Sequence, residues 1–182
     1  AAYGIMAAMA LLTVRTLGAL EISLGERPLT GFRTLRNQLL LVYLLLEAES
    51  PLPRTLLAGL LWPDKTDTAA RLNLRQSLFQ LRTVLGDDAD VLLVTPTAVQ
   101  RNPVAELWVD VAEFERIHSQ CRLHDHSALN RCASCMARLD VATALVQGEF
   151  LRGLYVQESP ALEEWLLLRR EQLRRQQLDS LA

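Results

Sequence analysis

The sequence predicts an α+β chain in which a mixed region of strands and helices is followed by an all-helical one. Three observations predict it. The hydrophobic pattern switches from alternation, the period of a strand, to the 3.6-residue period of helices, then briefly back. A long helix with start and stop signals sits in the middle of the mixed region. After Asn102-Pro103 only helix-period segments follow. Half of the 182 residues are apolar and 22% are charged, an ordinary globular composition with enough apolar material for a sizeable core.

The elements follow in order. From Leu12 to Leu35, short alternating runs separated by a turn at Gly25-Glu26-Arg27-Pro28 fit two or three antiparallel strands. Arg36 to Glu49 is a strongly apolar helix, stopped by Ser50-Pro51 because proline disfavours helix at the residue before it. A second helix runs from about Arg54 to Trp62 and ends at Pro63-Asp64. A third spans Asp67 to Leu85, capped by Thr66 and closed by Gly86. Val91 to Gln100 reads as a hairpin turning at Thr95-Pro96-Thr97. Helices are expected over roughly 110–121, 133–147 and 160–181. Strands, three helices and a hairpin in that order are a winged helix, with its helix-turn-helix at 54–85. The expected organisation is an N-terminal extension or cloning scar at 1–10, the winged helix-turn-helix at 11–104, and a helical region at 105–182 with a Cys/His loop at 118–135.

The third helix carries the functional signal. Ala70, Leu74, Leu78, Leu81 and Leu85 share one arc, spaced for a buried face. The opposite arc holds Leu72, Asn73, Gln76, Phe79, Gln80 and Thr83, with Arg71, Arg75 and Arg82 along one edge. Between Ala69 and Gly86 there is no carboxylate, whereas a merely solvated helix mixes Glu with Lys for i,i+4 pairing. Amides and guanidiniums are the groups that pair with base edges and phosphates. The bland alternative is an amphipathic helix whose outer face lacks acids by accident. Trp62 is read first as packing under the turn and second as a phosphate contact. The formal net charge of −2 splits into ten Arg/Lys against nine Asp/Glu over 1–103 and nine against twelve beyond. Phosphate contacts are therefore expected to be few.

A second constellation is Cys121, His124, His126, Cys132 and Cys135, spaced C-x2-H-x-H-x5-C-x2-C. A C-x2-C pair can hold one zinc ion from a tight turn, and Cys121 with His124 or His126 would complete four ligands. The alternatives are a polar loop with buried thiols, or a C-x2-C that cycles to a disulfide. A structural role for zinc fits better than a catalytic one, since no carboxylate base accompanies the cluster. His118 reads as a surface residue. Trp108 and Phe114 read as core, and Leu162, Trp165, Leu166 and Leu173 form an apolar stripe expected to pack on the 133–147 helix.

Carried by LLAGLLWPD ending at Asp64, AARLNLRQSLFQLRTVLGD (69–87), LLVTPTAVQRNP (92–103), LWVDVAEFE (107–115) and GEFLRGLYVQESPALEEWLLLRREQL (148–173), the chain resembles the SARP-type, AfsR-like bacterial activators. These join an OmpR-type winged helix to a bacterial transcriptional activation domain. The resemblance implies an α+β winged helix-turn-helix followed by an all-α, TPR-like domain, in a fragment of a longer protein. It places the helix bearing Asn73, Arg75, Gln76, Ser77 and Gln80 in the major groove and the 92–101 hairpin against the minor groove or backbone. Two departures stand out. The wing has Ala98-Val99-Gln100 where many carry Gly-Tyr-Arg, and Phe79 and Gln80 stand where arginine is common.

The expected function is sequence-specific binding of double-stranded DNA by a transcriptional regulator. Asn73, Gln76, Ser77 and Gln80 would face base edges. Arg71, Arg75 and Arg82 would face phosphates, or in the case of Arg75 a guanine, with Thr83 beside them. Thr95, Thr97 and Arg101 would steady the wing. RNA polymerase and a second protomer on repeated sites are the further partners expected. The alternative is a scaffold built on a winged helix that does not bind DNA. Catalysis is not expected, because no Gly-rich phosphate loop, nucleophile elbow or paired carboxylates stand in a recognisable frame. The longest apolar run, Leu39 to Leu46, is far short of the ~20 residues of a membrane span. Three cysteines and no basic-flanked signal segment lead to the expectation of a reduced, cytoplasmic protein.

Overall fold

In a computed structural model the chain is described over residues 12–86, 90–125, 132–156 and 158–181. The fold is mixed α/β, with six helices and two sheets among those residues. Strands β1 (Leu12–Arg15), β2 (Glu21–Leu24), β3 (Arg27–Pro28) and β7 (Leu107–Val109) run in the order β3-β2-β1-β7. Strands β4 (Leu52–Pro53), β5 (Leu92–Val94) and β6 (Ala98–Arg101) run in the order β4-β6-β5. The chain forms two compact units, the first comprising, among the described residues, 12–13, Ile22–Leu107 and Leu154–Trp165, the second Val14–Glu21, Trp108–Gly153 and the residues from Leu166 onward.

The first unit is built around α1 (Leu35–Glu47). Thr34 caps it, its hydroxyl accepting from the Asn37 amide at 3.2 Å. Leu39, Leu40, Leu41, Val42, Leu44 and Leu45 are all buried, and a helix apolar on so many sides belongs at the centre of a core. α2 (Arg54–Leu61) adds Leu57, Ala58 and Leu61 to that core. α3 (Asp67–Leu85) packs on α2 and buries Ala70, Leu74, Leu78, Leu81 and Leu85, the arc that the periodicity predicts. The Thr66 hydroxyl accepts from the Ala69 amide at 3.4 Å, and Gly86 ends the helix at φ 83°, a conformation costly for residues with a Cβ.

The hairpin turns where expected, with register Leu92↔Arg101 and Val94↔Val99. The structure adds a third strand, β4, pairing Leu52↔Val99 and Pro53↔Ala98. Two residues ahead of a helix carry too little pattern to be read as a strand. Proline is tolerated there because β4 lies at a sheet edge. Trp165 also differs from expectation. It meets Tyr43 of α1 edge-on at 5.1 Å between ring centroids and donates to the Glu47 carboxylate at 3.0 Å.

The second unit contains α4 (Asp110–Leu123) packed on α5 (Ala133–Leu145), and the later turns of α6 (Pro160–Leu181). Val111, Phe114, Ile117, Leu139, Ala142, Phe150 and Leu173 are buried in it. His118, expected at the surface, is buried against the Phe114 ring at 4.4 Å.

Two polar anchors tie this unit together. Asp110, 3% exposed, accepts from the amides of Thr16 and Leu17 at 2.8 Å, the Thr16 hydroxyl at 2.7 Å and its neighbour's Val111 amide at 2.7 Å. Burial pushes its carboxyl above the ordinary range, an effect that these donors offset only in part. Arg170, also buried, donates to the carbonyls of Phe150 and Leu151 at 3.0 and 2.9 Å. It thereby holds the Gly-Glu-Phe-Leu turn, where Leu151 takes a positive φ of 50°. Gly18, beside this turn, takes φ 150°, a backbone conformation that residues with a Cβ rarely adopt. Among the described residues no helix is long and apolar enough to cross a membrane.

Candidate nucleic-acid interface

The outer face of α3 is open. Arg71, Leu72, Arg75, Gln76, Phe79, Arg82 and Thr83 are all exposed, Phe79 at 72% and Leu72 at 43%. The inner arc of leucines anchors the helix, so these side chains project from a rigid support. Arg75 has no carboxylate partner among the described residues, while Arg71 reaches Asp67 only at 4.0 Å. A pair that long and exposed contributes little and leaves the guanidinium available.

Three of the expected contact residues on α3 are placed differently. Ser77 is 7% exposed and lies on the inner side of α3. At 100° per residue it falls about 20° from the Ala70 end of the leucine arc, so the helical period itself predicts its burial. Gln80 is half-buried, its amide oxygen accepting from the Asn37 side chain. Asn73 is also half-buried, on the same flank. Trp62 is buried, with the Arg36 guanidinium stacked over its ring at 5.5 Å from the centroid. The packing reading of Trp62 is therefore the one that the geometry matches.

In the hairpin, Thr95 is occupied by the turn itself. Its hydroxyl accepts from the Ala98 amide at 3.0 Å and lies 3.1 Å from the Ala98 carbonyl. Thr97 is exposed, and its carbonyl accepts from the Arg54 amide at 2.8 Å. Arg101 is committed inward, donating to the Leu45 carbonyl and to Glu49, each at 3.1 Å. Its expected role at the DNA backbone is replaced by one of tying the hairpin to the end of α1. Arg101→Ala is thus expected to lower stability by about 1 kcal/mol, measured by urea denaturation, while any DNA affinity stays within about twofold.

Two cations that the sequence pattern does not single out stand beside this face. A cleft of about 1080 Å³ runs along α3 and the start of α1, lined by Arg33, Arg36, Asn73, Arg75, Gln76 and Phe79 among others. Arg33 is exposed, and Arg36 is shared between Trp62 and Glu158, with which it forms an ion pair. The only signal is the Arg33/Arg36 spacing at the start of α1, and nothing local says that this end faces α3. Thr83 also bonds within its own helix, its hydroxyl donating to the Phe79 carbonyl at 3.0 Å.

The Cys/His constellation converges separately, in the second unit. His124 Nδ1 lies 3.0 Å from Cys135 Sγ and 3.5 Å from Cys132 Sγ, and all three atoms are within 4.8 Å of one another. Cys121 is buried, its thiol donating to the Cys135 carbonyl at 3.8 Å. No disulfide joins the cysteines. Backbone donors from Cys135 and Ser134 hold the Cys132 thiol below its ordinary range, whereas burial and the neighbouring thiols push Cys135 up to about 11. His126 lies outside the described residues.

The arrangement defines a class of fold: a helical pair whose second member presents a cationic and amide face, a three-stranded sheet against α1 and α2, and a largely helical second unit. No family model and no curated protein matches the sequence. Among solved structures, the chain is similar to Mycobacterium tuberculosis EmbR in complex with a low affinity phosphopeptide, at a TM-score of 0.72 and 19% identity. The match covers 94% of this chain and 44% of that one, so this chain spans less than half of that protein. The likeness is one of fold.

Proposed function

We propose that the chain is a sequence-specific DNA-binding transcriptional regulator of the SARP type. Its first unit acts as a winged helix-turn-helix, with α3 in the major groove and the β5–β6 hairpin as the wing. The observation that carries this is the exposed, carboxylate-free outer face of α3 beyond Asp67, on a helix fixed from behind by five buried apolar residues. The fold likeness to EmbR and the motif resemblance to SARP-type activators support the same reading.

The division of roles follows from placement. Gln76, exposed mid-helix, can pair with a base edge through both its donor and its acceptor. Arg75, beside it, reaches a guanine or a phosphate. Arg71 and Arg82 lie along the edge toward the phosphates, with Arg33 supplying a further cation from the start of α1. Phe79 and Leu72 can meet thymine methyl groups. RNA polymerase and a second protomer on repeated sites are the partners this role entails. With few cations on the face, binding is expected to weaken with salt on a shallow log–log slope, about −0.9 for each phosphate neutralised.

The test is selection from a randomised duplex pool followed by fluorescence anisotropy across a salt series. Gln76→Ala is expected to change the preferred base at one position by about 1–3 kcal/mol of discrimination. Binding that shows neither salt dependence nor sequence preference would rule the reading out. One observation favours a second reading. Two large apolar side chains, Phe79 and Leu72, stand exposed on the same face, as in a protein-docking scaffold. In that case Phe79→Ser would abolish partner binding, and no duplex would be selected.

A further inference from the structure

We infer that the second unit carries a structural zinc site formed by His124, Cys132 and Cys135, with Cys121 as the fourth ligand.

The donors come from two helix ends. Cys121 lies in the last turn of α4 and His124 caps that helix, while Cys132 caps the start of α5 and Cys135 lies in its first turn. A C-x2-C at a helix start directs both sulfurs to one point, and the end of α4 brings the imidazole to the same point. Zinc–sulfur and zinc–nitrogen bonds of about 2.3 and 2.0 Å around a tetrahedron set ligand atoms about 3.5–3.8 Å apart. The contacts of 3.0 and 3.5 Å from His124 Nδ1 to the two sulfurs come within about 0.6 Å of that spacing, so small side-chain rotations suffice. Cys121, the remaining cysteine, is buried with its thiol donating to the Cys135 carbonyl at 3.8 Å, next to the group.

The donor set also selects the metal. Two thiols and an imidazole converge with no carboxylate in the group, and the Cys121 thiol, bonded to the Cys135 carbonyl, offers a third sulfur; such donors suit zinc rather than magnesium or calcium. With four protein ligands no vertex is left for substrate, which makes the site structural rather than catalytic. On binding, the thiols release their protons to solvent and the thiolates coordinate the ion. The consequence is a clip between the end of α4 and the start of α5.

The experiment measures zinc per chain by mass spectrometry after purification under reducing conditions, then replaces zinc with cobalt and records the absorption spectrum. One equivalent of zinc is expected, together with tetrahedral cobalt bands and thiolate-to-cobalt charge transfer. His124→Asn changes an exposed side chain and leaves the buried packing alone, so it is expected to fold, as circular dichroism will check. It and Cys132→Ser should each weaken metal binding at least tenfold. Cys121→Ser should dim the charge-transfer band by about a third, the share of one thiolate in three. The proposal is overturned if the reduced chain binds less than about a tenth of an equivalent. It is likewise overturned if His124→Asn and Cys132→Ser bind metal as tightly as the unaltered chain. A Cys132–Cys135 disulfide that forms instead, with no metal taken up after reduction, overturns it equally.

Discussion

Asp110→Ala is expected to destabilise the protein by about 3–5 kcal/mol, because it removes a buried acceptor shared by several donors. The carboxylate accepts from the amides of Thr16, Leu17 and Val111 and from the Thr16 hydroxyl. Alanine strands four donors in a buried setting, and each stranded group costs about 1–3 kcal/mol before relaxation and water entry reduce the sum. Asp110→Asn keeps one acceptor oxygen but turns an NH2 group toward donors, so an intermediate loss of about 2 kcal/mol is expected. Urea denaturation followed by far-ultraviolet circular dichroism measures both. If the alanine variant lost less than about 1 kcal/mol, those donors would be finding water, and the anchoring role of Asp110 would be wrong.

Arg75→Ala is expected to weaken DNA binding about 10–100-fold with little change in stability. The side chain is exposed and without a carboxylate partner among the described residues, so its removal strands nothing within the fold. A bidentate arginine contact carries about 1–3 kcal/mol. If Arg75 reads a guanine, the loss concentrates on sites with that base. If it meets a phosphate, all sites weaken alike and the salt slope falls by about one. Arg82→Ala, further along the same edge, is expected to weaken all sites alike. Full affinity in both variants would remove α3 as the DNA-contacting helix.

Much of the first unit is legible in the sequence because its signals are local. Thr66, the leucine spacing and Gly86 bound α3 at both ends, and the structure has it at Asp67–Leu85. Thr95-Pro96-Thr97 likewise locates the hairpin turn between β5 and β6. The candidate face is legible in part. Arg71, Gln76 and Phe79 are exposed as their helical positions require. Ser77 is also within reach, since the same period puts it beside Leu74 and Leu81. Its place among the base readers rests on the motif resemblance, and the period is the better guide.

The sequence by itself determined the helices, their caps, the hairpin and the acid-free outer arc of α3, because these depend on residues within a few positions of one another. Only the tertiary structure decided which polar groups were already taken. Gln80 is engaged by Asn37, Arg101 by Leu45 and Glu49, and Arg36 by Trp62 and Glu158. The same holds for the return of Leu154–Trp165 to the first unit and for the meeting of Asp110 with Thr16 across 94 residues. A side chain's hydrogen-bonding capacity is a property of its type, but its partner is set by chain segments far away in sequence, and no local pattern encodes that.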